Sequence, residues 1–186
     1  MRAIPQKPAE PSNKRLHEQD LRWFAVHTRS KSEKFVQRAL EKKGVHAWVP
    51  LQKLMRRYSR SNRMVENPLI NCYVFVKINT AGYLPVLETA HVAGFVKFNK
   101  TLLCIPESEM DLLRRITLET DLDVEAVPGS LAQSDPVEIA AGNLTGMRGR
   151  IVKVEGKRKM QVELTHLGYS LLITVDRAFL EKTGTE

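Results

Sequence analysis

The feature that most restricts the fold is the run Ile70-Asn71-Cys72-Tyr73-Val74-Phe75-Val76, almost continuously apolar and rich in β-favouring residues. A strand that is apolar on both faces must be covered on both, which calls for a layered domain. Tyr73 and Phe75 stand two positions apart and so share one face, either ordinary core or a docking surface. Just before this run lies a polar arm carrying Lys53, Arg56, Arg57, Arg60 and Arg63. Cations on such an arm are able to follow phosphates.

The flanking segments supply the layers. Trp23 to Thr28 reads as a strand, and Ser30 to Gly44 reads as a helix. Ser30 and Glu33 match a Ser-x-x-Glu capping box, Phe35, Val36, Ala39 and Leu40 form an apolar stripe, and Gly44 suits a left-handed cap. Val45 to Leu54 alternates as a strand, and the arm from Arg56 to Asn67 joins it to the strand Leu69 to Ile78 as a long hairpin. Thr80 to Thr89 suggests a short helix limited by Pro85, followed by short strands from Gly94 to Phe98 and Thr101 to Ile105 about an Asn99-Lys100 turn. Pro106 opens a last helix in which Met110, Leu113 and Ile116 share a face. The expected order is βαββαββα, an α+β sandwich.

Charge divides the 186-residue chain. Leu21 to Ile116 holds seventeen Lys/Arg against seven Asp/Glu, whereas Thr117 to Asp135 holds five acids and no base, so the net +8 resides in the first part. Such a surplus points to nucleic acid or another acidic surface as partner. The acidic stretch contains Pro128, Gly129 and Ser130 and reads as a linker. Beyond it, short β runs at Val137 to Ile139, Arg150 to Val154, Met160 to Leu164 and Ser170 to Val175, with glycines at 142, 146, 149, 156 and 168, suggest a small barrel. The expected organisation is a disordered tail over 1–20, a first domain over 21–117, a linker over 118–135 and a barrel over 136–186.

Several classes find little support. Cys72 and Cys104 form no Cys-x-x-Cys pair and suit reduced thiols in a cytoplasm. No apolar stretch approaches a membrane span, and the first twenty residues, with Pro5, Pro8 and Pro11, are unlike a signal peptide. His17, His27, His46, His91 and His166 lack metal-site spacing, and no Walker-type loop occurs, so neither an enzyme nor a cofactor is expected.

WFAVHTRSKSEK (Trp23 to Lys34) and INCYVFV (Ile70 to Val76) resemble the amino-terminal (NGN) domain of the NusG family of transcription elongation factors. GNLTGMRGRIVKVEGK (Gly142 to Lys157) resembles the KOW barrel that follows it in that family. The likeness runs from about Leu21 to Lys182. Two departures, Asn71-Cys72-Tyr73 in place of Pro-Gly-Tyr and the segment Leu167 to Leu172, liken it to RfaH-like and capsular-operon antiterminators. The resemblance implies a bacterial, cytoplasmic, monomeric factor that docks on the clamp helices of RNA polymerase and suppresses pausing. A KOW-containing, ribosome-associated RNA-binding protein is the alternative, and a basic nuclease is a third.

For the polymerase contact the candidates are Tyr73 and Phe75, with Ile70 nearby and His27 or Phe24 from the first strand; ordinary core packing is the competing reading. Arg29, Lys31, Lys34 and Arg38 begin the helix whose face, in the paralogues, meets the non-template DNA strand. Arg56, Arg57, Arg60 and Arg63 on the arm face upstream duplex DNA or polymerase, or simply solubilise a hairpin tip. RfaH-like proteins carry a His-Thr-Thr contact to the polymerase gate loop where this chain has Gly82-Tyr83-Leu84-Pro85, so that motif is absent and the resemblance does not carry the gate-loop contact over. In the barrel, Met147, Leu167, Gly168 and Tyr169 match positions that meet a ribosomal protein or Rho, turn packing being the other reading.

Overall fold

The computed structural model describes residues 16–58, 61–98, 101–119, 122–129, 135–154 and 157–182. It divides into two units that part between Leu113 and Arg114. Most of the expected tail, the Asn99-Lys100 turn and Gly156 lie outside the described residues. Among the described residues no helix is long and apolar enough to cross a membrane.

The first unit runs β1 (Arg22–Thr28), α1 (Glu33–Lys42), β2 (His46–Trp48), β3 (Leu51–Tyr58), β4 (Ser61–Pro68), β5 (Tyr73–Ile78), α2 (Tyr83–Leu87), β6 (Val92–Phe95), β7 (Lys97–Phe98), β8 (Thr101–Leu102) and, as far as Leu113, α3 (Glu107–Leu118). Four strands form an antiparallel sheet in the order β2-β5-β1-β6. The apolar run is therefore an interior strand, as its composition requires. Phe24, Val26, Val74, Val76 and Ile78 project to one side and pack with Ala47, with Val36 and Leu40 of α1, with Val86 of α2 and with Phe95. Trp23, Ala25, His27, Tyr73, Phe75 and Lys77 project to the other by strand alternation.

Two expected strands are each split. Pro50 has no N–H to continue a ladder, so β2 stays with the sheet while β3 leaves it to pair only with β4, from Leu51↔Pro68 to Tyr58↔Ser61. After Phe95, β6 gives way to a separate two-stranded piece, β7 with β8. The strand expected from Leu69 begins at Tyr73, because Cys72 takes a left-handed backbone, φ 64°.

The start of α1 corrects the expected capping box. The helix opens at Glu33 with Ser32 as its cap residue, and no side chain caps it. Glu33 is instead buried, and its Oε1 accepts the Cys72 N–H at 2.7 Å. Glu33, Val36 and Leu40 define the buried stripe; Phe35, a hundred degrees round from Val36, is 53% exposed. The C-terminus is as expected, with Gly44 at φ 76° and Val45 N–H closing on the Leu40 carbonyl at 3.0 Å.

The second unit is an antiparallel six-stranded sheet, β9 (Val124–Pro128), β10 (Pro136–Ile139), β11 (Arg148–Val154), β12 (Lys157–Leu164), β13 (Tyr169–Ile173) and β14 (Leu180–Lys182), ordered β14-β10-β11-β12-β13-β9. Two expectations change here. The acidic linker contains a strand: β9 pairs along β13, with Val124 buried and Glu125 offset by Lys159 at 3.3 Å. Alternation of apolar and acidic residues suits an edge strand, and the Pro128-Gly129 pair disguised it. Among the described residues no ladder joins β14 to β9, so the sheet is open where a closed barrel was expected. Gly149 sits where a Cβ would meet the Gln161 carbonyl and Met160, so only glycine permits the close β11–β12 approach.

Candidate functional site: an aromatic face and a cationic corner

Sheet alternation sorts the proposed docking residues. Tyr73 and Phe75 share a face with His27, and the His27 and Tyr73 rings lie 4.5 Å apart on directly paired residues. Phe75 faces Trp48 at 6.0 Å, and Trp23 faces His46 at 5.0 Å. Lys77 Nζ stands 5.6 Å over the Trp23 ring, and Trp23 Nε1 donates to Glu107 at 2.9 Å. Phe24 does not belong to this group: it lies in the core on the opposite face, because 24 and 27 differ by an odd number of residues. Ile70, Tyr73 and Phe75 are buried, whereas His27 is exposed.

Desolvation lowers the His27 pKa from the ordinary 6.5, so the ring is held neutral beside Tyr73 at pH 7. The unfolded chain then binds more protons in the window below 6.5, and folding stability falls as pH drops through it. His27→Gln is expected to flatten that part of the thermal-midpoint against pH curve. A slope unchanged by the substitution overturns this assignment.

Three turns meet at one end of the sheet, because the end of the central strand β1 abuts the starts of β5 and β6. Thr28 N–H donates to Cys72 O at 2.9 Å and Arg29 N–H to His91 O at 3.0 Å. Lys31, Cys72 and His91, one from each turn, are left-handed at φ 59°, 64° and 68°. Non-glycine residues tolerate that conformation at a cost of about 1–3 kcal/mol each, and such strain concentrates at functional positions.

Arg29, Lys31 and Arg38 are exposed around this corner. Lys34 is the exception among the helix cations, since its Nζ pairs with Glu66 at 3.1 Å. A surface pair of this kind is worth under about 1 kcal/mol, so a phosphate can displace the carboxylate. Phe35, assigned to the core from sequence, adds an exposed ring edge-on to His91 at 5.0 Å. The Glu33–Val36–Leu40 stripe would have identified it, had Glu33 been read as buried.

The arm cations lie on the β3–β4 ribbon, where Arg56 pairs Arg63 and Arg57 pairs Asn62 in register. Arg63 is exposed, and Arg60 lies outside the described residues. In the second unit the expected loop-tip contacts are corrected in part. Met147 and Leu167 are buried, because the turns fold them inward: Met147 N–H bonds the Leu144 carbonyl and Leu167 N–H that of Leu164. Gly168 is exposed at φ 68°, and Tyr169 is half-buried. Among the described residues no group of three or more His, Cys, Asp or Glu side chains is placed to hold a metal.

Comparison with known proteins agrees with this architecture. The family model described as "Transcription termination factor nusG" matches residues 21–114, half of the chain. A structure of Thermotoga maritima NusG solved for its domain interaction is similar at a TM-score of 0.53 and 20% identity, over 88% of this chain and 98% of that one. The MjSpt4:Spt5 complex aligns over 88% of this chain in conformation A (99% of that chain, 18% identity, TM-score 0.30) and in conformation B (97%, 19%, 0.31). A search of curated proteins finds no match. With the family's amino-terminal domain matched across every element from β1 to most of α3, the chain belongs to the NusG family of transcription factors.

Proposed function

We propose that this chain is a non-enzymatic elongation factor of the operon-specific, RfaH-like kind, which binds RNA polymerase through the first unit and suppresses pausing and termination. The observation that carries the reading is the aromatic face of the β1–β5 pair, where exposed His27, kept neutral, lies against Tyr73. A neutral imidazole packed over the buried Tyr73 ring is a surface that is cheap to desolvate, suited to the clamp helices. Binding accelerates elongation only so far as the factor prefers the closed clamp, by linkage.

The corner of Arg29, Lys31, Lys34 and Arg38 is the proposed seat of the non-template strand, with cations for phosphates and the Phe35 ring for a base. The second unit is proposed as the KOW domain, its Gly168-Tyr169 turn meeting a ribosomal protein or Rho in the bacterial cytoplasm. The residues 118–135 are proposed to connect the two while lending β9 to the second.

His27→Glu places a charge on the docking face at an exposed position. It is expected to reduce capture of core RNA polymerase by the full chain at least about tenfold, by desolvation of an unpaired carboxylate, with only a modest fall in melting temperature, since the desolvation that disfavours the imidazolium disfavours a carboxylate too. Capture at the wild-type level moves the docking face elsewhere. Recovery of ribosomal RNA instead of polymerase favours a ribosome-associated role.

A further inference from the structure

Lys34 stands among cations, and the carboxylate it pairs with is imported from another element. At the neighbouring helical spacings, three and four residues away, lie Ser30, Lys31, Gln37 and Arg38, none of them acidic. Like charges four apart on a helix disfavour one another, so Lys34 and Arg38 repel. Relief comes from β4, thirty-two residues on, where Glu66 Oε2 lies 3.1 Å from Lys34 Nζ. Glu66 also has a second lysine at hand, because Lys53 is its direct partner in the β3–β4 register. Directly opposed residues of an antiparallel pair share a face with Cβ atoms about 5 Å apart, close enough for an ion pair. One carboxylate thus stands between two ammoniums, and Lys34 holds it in this structure. The Lys34 and Glu66 side chains are 39% and 45% exposed, so the pair can exchange partners without any unfolding.

We infer that Glu66 is a built-in competitor for the strand seat: it occupies Lys34 in the free protein, yields to a phosphate, and passes to Lys53 when displaced. The role is a regulation of the seat formed by Arg29, Lys31, Lys34 and Arg38, and it rests on that nucleic-acid reading. A phosphate arriving at Lys34 exchanges one ion pair for another, so this contact contributes less than it would at a free ammonium. Lys53 lowers the cost of displacement, since the released carboxylate finds a cation across the ribbon. By reciprocity, any contact that draws Glu66 toward Lys53 opens the seat. The effect is bounded, because an exposed pair shifts an equilibrium by no more than about fivefold. A restraint of that size weakens stray binding without closing the seat.

The test uses the full chain and a fluorescein-labelled single DNA strand of about a dozen nucleotides, read by anisotropy at low salt. Glu66→Gln is expected to tighten binding about two- to fivefold, the gain shrinking as added salt screens the pair it removes. In a Lys34→Gln background the same change should bring no gain, because Glu66 acts through Lys34. Lys53→Gln should weaken binding about twofold in the wild-type chain and leave it unaltered beside Glu66→Gln, where no carboxylate needs a new partner. All three positions lie on the surface, and an unaltered thermal melt verifies each fold.

A strand bound equally by wild type and Glu66→Gln overturns the competitor while the seat survives. A gain that persists in the Lys34→Gln background also overturns it, and makes Glu66 a source of general repulsion. Equal weakening by Lys53→Gln in both backgrounds overturns the transfer to Lys53 and makes that lysine a phosphate contact. Binding that withstands Arg29→Glu with Lys31→Glu removes the seat itself, and a chain that captures polymerase but no strand does the same while leaving the elongation role.

Discussion

Phe75→Ala is expected to destabilise the first unit by about 3–5 kcal/mol, measured as a fall in the urea midpoint, because a fully buried aromatic ring leaves a cavity the interior strand cannot close. Phe75 is 0% exposed, lies in the interior strand β5 and faces Trp48. Tyr73→Phe, at a site 6% exposed, keeps the ring and loses only what the hydroxyl contributes, about 0.5–1.5 kcal/mol. The contrast changes how docking has to be probed. The double change Tyr73→Ala with Phe75→Ala, attractive from sequence because the two residues share a face, removes core and confounds binding with folding. Should the double variant melt as wild type does and still lose polymerase, Phe75 is a contact after all and its burial has been misjudged.

Glu33→Ala is the second large effect. The carboxylate is 4% exposed and accepts the Cys72 N–H in a short bond of 2.7 Å, so it ties the first turn of α1 to the left-handed turn that launches β5. Removing it leaves a part-buried donor without its acceptor and opens a small cavity under the buried Glu33 side chain, a loss of about 2–3 kcal/mol. Glu33→Gln retains an acceptor and should recover at least half of that. Amide exchange at Cys72 is the local reporter: it should accelerate strongly in Glu33→Ala. Protection of that amide unchanged in Glu33→Ala would sink the argument. Because Tyr73 follows Cys72 directly, a loosened turn should also weaken polymerase capture in proportion to the lost protection.

The residues that sequence placed well are those whose position follows from local chemistry. The 70–76 run could only be an interior strand, since alternation leaves it apolar on both sides, and the two-sided sheet β2-β5-β1-β6 covers it accordingly. Gly44 ended α1 where a left-handed residue was needed, and Pro85 limited α2 to five residues. The misplacements arise where a long-range partner outbid a local one. Glu33 read as half of a capping box until a backbone N–H thirty-nine residues away claimed it. That single displacement rotated the helix reading and hid Phe35 on the exposed side. Phe24 and Tyr73 are both aromatic strand residues, and only the β1–β5 register put them on opposite faces. Met147 and Leu167 read as loop-tip contacts until turn hydrogen bonds folded them in.

By itself, then, the sequence determined a basic α+β first unit, a β-rich second one and where the cations fall along the chain, because composition, period and charge are local and additive. Only the tertiary structure decided which aromatic ring is core and which is surface, that Lys31, Cys72 and His91 converge at one corner, and that Met55 stands opposite Met64. Those facts depend on strand register, and register is set by the sum of contacts between segments distant in the chain, which no window of sequence contains.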